Sequence, residues 1–138
     1  MHAELTGLTQ RPLVLVVDDQ PFFRAQMRNE LARRGHTVVT AHDAAHALRL
    51  VDELGPPLVL VLDLILPGTS GAELLEVLSG RADADQLRFI LVSAHLAPDS
   101  VAPDNPLVVA RLGKPVDLNR LTERLEVAGA LLCGPGAI

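Results

Sequence analysis

The chain has 138 residues, 49 % of them hydrophobic, and a formal charge of −5. That is enough apolar material for one compact domain with its own core, and it excludes a disordered tail. No basic cluster resembles a phosphate-tracking patch, which argues against direct nucleic-acid binding, and no apolar stretch is long enough to cross a bilayer, because Asp63 interrupts the best candidate.

Residues 1–11 read as a polar leader, with neither the cationic start nor the apolar run of a signal peptide. "LVLVVDD" (13–19) is a continuous apolar run stopping at two aspartates, the pattern of a strand buried on both faces. Pro21 suits the first turn of a helix, Phe23, Met27 and Leu31 follow at helical spacing, and Gly35 is a natural stop. "TVVTA" (37–41) predicts a second strand and "DAAHALRLVDEL" (43–54) a helix capped by Asp43. "LVLVLD" (58–63) predicts a third strand, and Ser70 with Glu73 forms an S-x-x-E capping box ahead of "GAELLEVL". "LRFILVS" (87–93) and "LVVARL" (107–112) predict strands four and five. The last helix begins near Asp117, with Leu118, Leu121 and Leu125 on one face.

This alternation predicts an α/β fold with a parallel sheet and right-handed crossovers. There is no internal repeat, so the expected organisation is a single domain over 12–130 followed by a short tail, 131–138. One link breaks the pattern. "AHLAPDSVAPDNP", between strands four and five, carries prolines at 98, 103 and 106, so the helix due there is expected to be short or missing. With Phe22, Phe23 and Phe89 the only aromatic residues, the core must be aliphatic. Cys133, the single cysteine, cannot form an internal disulfide, which fits a cytoplasmic protein.

Ligands of open parallel α/β sheets bind beyond the carboxyl ends of the strands. In this chain those ends carry Asp18 and Asp19, Asp63, and Ser93, with Lys114 and Pro115 just past strand five. Taken singly, each is an ordinary strand end or turn residue. Taken together, they supply carboxylates, a hydroxyl and an ammonium to one edge of the sheet. Clustered carboxylates raise one another's pKa unless a cation is near, and a hard ion such as Mg²⁺ suits carboxylates, a carbonyl and waters. An Asp carboxylate can act as a nucleophile toward phosphorus, with Mg²⁺ and a lysine offsetting charge on the transferring group. Asp63, otherwise costly within "VLVLDLILPG", is thus tolerated because it faces a polar edge.

"VLVVDD", "VLDLILPGTSG", "ILVSA" and "LGKP", in this order and over most of the chain, resemble the receiver domain of bacterial response regulators. The resemblance implies a flavodoxin-like five-stranded parallel sheet of order 2-1-3-4-5 with helices on both faces. It implies Asp63 as phosphoacceptor, served by a histidine on a sensor kinase or a phosphotransfer protein. Mg²⁺ would be held by Asp19 directly, by Asp18 mainly through water, by Asp63, and by the backbone carbonyl of Ile65. Ser93 would sense the phosphoryl group and Lys114 would bind one of its oxygens, ahead of a cis Lys114–Pro115 bond. "PGTSG" would shape the loop beneath the site, and His95 and Ile65 occupy positions that tune dephosphorylation. The sequence departs from the family at Arg111, where an aromatic residue usually serves as the inward switch; a guanidinium resists such burial. The proline-rich stretch departs too, so the readout is not expected to be the usual one.

His42 and His46 lie four apart, which is metal-ligand spacing, but no third ligand is evident and a solvated helix face is the simpler reading. "RNELARRG" reads the same way. The expected function is a single-domain response regulator, no enzyme beyond its own phosphorylation and dephosphorylation, acting on an unidentified downstream protein; the initial Met favours a complete chain. The alternative is a pseudo-receiver, an interaction or scaffold module without phosphate control. A phosphohydrolase built on Asp63 lacks a second acid two residues on, where Ile65 stands.

Overall fold

A computed structural model describes residues 11–94 and 104–133. Five strands, β1 (Leu13–Val17), β2 (Val38–Ala41), β3 (Leu58–Asp63), β4 (Leu87–Ser93) and β5 (Val108–Gly113), form one sheet of order β2-β1-β3-β4-β5. Every pairing is parallel. Among the described residues the helices are α1 (Pro21–Arg33), α2 (Ala44–Leu54), α3 (Gly71–Ser79) and α4 (Leu118–Cys133), with a 3-10 turn at Ala84–Gln86. The predicted order of elements is therefore the observed one. The stretch where a short or missing helix is expected, 95–103, lies outside the described residues.

Strand alternation divides the interior in two. In β3, Leu58, Leu60 and Leu62 face one core, which they share with Ala47 and Val51 of α2 and Leu74, Leu75 and Leu78 of α3. Val59 and Val61 face the other, shared with Met27 and Leu31 of α1 and Leu121, Leu125 and Ala128 of α4. Strands covered on both faces must be apolar throughout, and all six residues of β3, Asp63 included, are buried.

Local signals set the boundaries. The Asp43 carboxylate accepts from the His46 backbone N–H at 2.8 Å and starts α2. Ser70 Oγ accepts from the Glu73 N–H at 3.1 Å while Glu73 Oε1 accepts from the Ser70 N–H at 3.0 Å, completing the capping box of α3. Asp117 Oδ1 accepts from the backbone N–H groups of Asn119 and Arg120, placing the start of α4 at Leu118. Strand five begins one residue later than expected. Asn105 accepts the Leu107 N–H on its side chain and the Val108 N–H on its carbonyl, which holds a turn up to Val108.

The turn into α3 is the tightest feature near the sheet edge. Gly68 has φ 76°, a left-handed conformation that favours glycine. At Gly71 a Cβ atom would lie 2.1 Å from the Asp63 carbonyl oxygen and 2.7 Å from Leu64 Cα. The Gly71 N–H meanwhile donates to the Leu64 carbonyl at 3.0 Å, so helix and strand end cannot separate cheaply. Gly71→Ala is therefore expected to cost about 3 kcal/mol, read as a lower urea midpoint with an unchanged slope. A loss below about 0.5 kcal/mol would show that the turn can relax.

Candidate functional site

Because the strands run parallel, β1, β3, β4 and β5 all end on the same edge, and alternation decides which polar residues meet there. Asp18 continues the face of Val14 and Val16, Asp63 that of Val59 and Val61, and Lys114 that of Leu112, all on the α1/α4 side. Lys114 Nζ donates to Asp18 Oδ2 at 2.7 Å and to Asp63 Oδ2 at 3.2 Å. Each carboxylate also has a backbone donor: the Gln20 N–H meets Asp18 Oδ1 at 2.8 Å, and the Ile65 N–H meets Asp63 Oδ1 at 2.9 Å. Asp18 and Asp63 are buried and Asp19 is exposed. Carboxylate oxygens from the three lie within 4.8 Å of one another, the one such group among the described residues. Hard oxygen donors at this spacing fit a divalent cation such as Mg²⁺.

Burial pushes the Asp63 carboxyl above the usual range. The Ile65 N–H opposes that rise, Asp18 adds to it, and Lys114 opposes it again. Lys114 also sits above its usual value. Burial alone would lower it, but hydrogen bonding and attraction from Asp18 and then Asp63 outweigh burial. Burial, with Asp18 close by, thus outweighs the Lys114 ammonium that the two carboxylates share.

The remaining predicted residues divide by location. Ser93 is buried at the end of β4, and its carbonyl accepts from the Lys114 N–H at 3.0 Å. The Lys114–Pro115 bond is cis. The Ile65 side chain is exposed beside Asp63. Arg111 is exposed on β5 opposite Leu91, so the guanidinium is not buried where the family's aromatic switch turns inward. His95 lies outside the described residues. The His42 and His46 rings approach each other, with Nδ1 atoms 2.9 Å apart, but no third metal-ligating side chain joins them among the described residues.

Two contacts were not legible beforehand. The Arg24 guanidinium donates to the Asp18 carbonyl at 2.8 Å, pinning α1 to the end of β1. The Phe23 ring lies under Lys114, with Nζ 4.3 Å from its centroid. The only sequence signal for either is that Pro21 starts a helix one residue beyond the Asp pair.

A family model for the response regulator receiver domain matches residues 14–126. Transcriptional regulatory protein KdpE of Mycobacterium tuberculosis is 47 % identical over 117 residues, which cover 84 % of this chain and 50 % of that protein. This chain thus spans about half the length of that relative. The crystal structure of a response regulator receiver protein from Pseudomonas putida is 31 % identical, with a TM-score of 0.73 over 86 % of this chain and 98 % of that one. The crystal structure of a sensor protein from Polaromonas sp. JS666 is 28 % identical, with a TM-score of 0.80 over 88 % and 98 % of the two chains.

The raised Asp63 pKa has a consequence for stability. A group that binds its proton more tightly when folded contributes stability below its unfolded pKa, and that stability is lost as the pH rises through the folded value. In metal-free buffer at pH 7 the ionised carboxylate is therefore a net cost. Asp63→Asn is expected to be more stable than wild type under those conditions. The gap should close as the pH falls toward the ordinary carboxyl value of 3.8. Urea unfolding at several pH values with a chelator checks this; a less stable variant at pH 7 would contradict it.

Proposed function

The chain belongs to the response regulator receiver-domain family, and from that premise we propose that it is a phosphorylation-controlled switch with Asp63 as phosphoacceptor. The single observation that carries this reading is the Lys114 ammonium between Asp18 and Asp63, at the edge where their strands end. The Asp63 carboxylate would attack the phosphorus of a phosphohistidine on a sensor kinase or phosphotransfer protein. A P–O bond forms, the P–N bond breaks, and its electron pair leaves with the imidazole. Lys114 would then pair with a phosphoryl oxygen, and the Ser93 hydroxyl would donate to another. Asp19, Asp63 and the Ile65 carbonyl would hold Mg²⁺, with Asp18 acting through water. When bound, the ion offsets charge on the transferring group. The exposure of Asp19, against the burial of Asp18, supports giving Asp19 the direct contact.

In this reading residues 12–130 are the receiver unit, acting in the cytoplasm by binding a downstream protein rather than nucleic acid. No helix among the described residues is long and apolar enough to cross a membrane. The domain catalyses at most its own phosphorylation and dephosphorylation, with Ile65 and His95 tuning the latter. One observation favours a second reading. Arg111, exposed where the inward aromatic usually stands, suits a pseudo-receiver that binds partners without phosphate control.

Intact-mass spectrometry after incubation with Mg²⁺ and acetyl phosphate separates the two. Wild type should gain one phosphoryl group, and neither Asp63→Ala nor chelator-treated wild type should gain any. Absence of the gain with both acetyl phosphate and kinase phosphodonors, together with no Mg²⁺ binding, would leave the scaffold reading.

A further inference from the structure

The Lys114 ammonium has three N–H donors. Asp18 Oδ2 and Asp63 Oδ2 take two, at 2.7 and 3.2 Å. Among the described residues no carboxylate takes the third; instead Nζ sits 4.3 Å from the centroid of the Phe23 ring. A cation at that distance over an aromatic face is attracted by the negative centre of the ring, most strongly where water is scarce. The lysine side chain is only 16 % exposed. The ring continues the inner face of α1 with Met27 and Leu31 and reaches Lys114 at its end. This core is aliphatic, Phe23 and Phe22 are adjacent, and Phe22 is 82 % exposed while Phe23 packs against the α1/α4-side core. The chain places one of its three phenylalanines against the ammonium that joins Asp18 to Asp63.

We propose that Phe23 is a positioning residue for phosphoryl transfer, its ring face holding the Lys114 ammonium in place between Asp18 and Asp63. The inference rests on the phosphoacceptor reading of Asp63. A phosphoryl oxygen carried by Asp63 then meets an ammonium already held in place, rather than one that must be recovered from solvent. Pro21 makes the arrangement possible. By starting α1 one residue beyond the Asp pair, after the Gln20 cap, it brings the third helical residue, Phe23, beside the lysine.

The test replaces Phe23 site-specifically with phenylalanines carrying one, two and three ring fluorines, which keep the shape of the ring while draining charge from its face. The readout is the rate at which full-length protein gains a phosphoryl group from acetyl phosphate at fixed Mg²⁺. The expected result is a graded fall reaching about tenfold for the trifluorinated ring, with Phe23→Leu as slow or slower and Phe23→Tyr near wild type. A flat fluorine series on a reactive wild type overturns the role of the ring alone and leaves the phosphoacceptor reading intact. A wild type that gains no phosphoryl group from any donor overturns that reading, and this inference with it. Because fluorination barely alters volume, the series stays decisive even where Phe23→Leu folds poorly.

Discussion

The structure turns on a carboxylate placed where a carboxylate is expensive. Asp63 ends a strand that is buried from its first residue, and only the polar edge of the sheet makes its ionisation tolerable. The Lys114 ammonium is the counterweight, but it is shared with Asp18 and cannot satisfy both carboxylates fully. Much of the surrounding architecture serves that compromise. The Ile65 and Gln20 N–H groups cover the other carboxylate oxygens, Arg24 pins the chain between β1 and α1, and the Lys114 N–H ties the loop after β5 to the end of β4. A site left short of positive charge is one in which an incoming cation gains most.

Sheet geometry explains how residues scattered across the sequence come to act together. Parallel strands put their carboxyl ends on one edge, and the period of two then sorts the side chains between the faces. Asp18, Asp63 and Lys114 share the α1/α4 face. Ser93 follows Phe89 and Leu91 in register and therefore belongs with the α2/α3 face. The candidate site thus borders both cores.

Much of this was legible in the residues. "LVLVLD" read as a doubly buried strand, Ser70 with Glu73 as a capping box, and the polar residues at four strand ends together as one cluster. What stayed hidden depends on tertiary placement. Helical spacing puts Phe23 with Met27 and Leu31 on the inner face of α1 and leaves Phe22 in solvent, but it does not say that the Phe23 ring meets Lys114. Strand five slipped by a residue because the Asn105 side chain closes a turn that looks, from composition, like the start of the strand. The ion pairs of Arg81 with Asp52 and Asp83 tie the end of α2 to the chain after α3, and no local pattern announces a partner 29 residues away.

The close approach of Gly71 to the end of β3 also constrains chain length. Helix α3 starts with its first residue seated on the Asp63 and Leu64 backbone, where there is no room even for a methyl group. A residue added to or removed from the loop 64–70 would have to be absorbed within the loop, because the contact at Gly71 has no slack. The number of residues between acceptor and helix is therefore constrained as firmly as their identity. Substitutions can accumulate along this loop far more readily than insertions or deletions, and divergent copies of the chain should align across it without gaps.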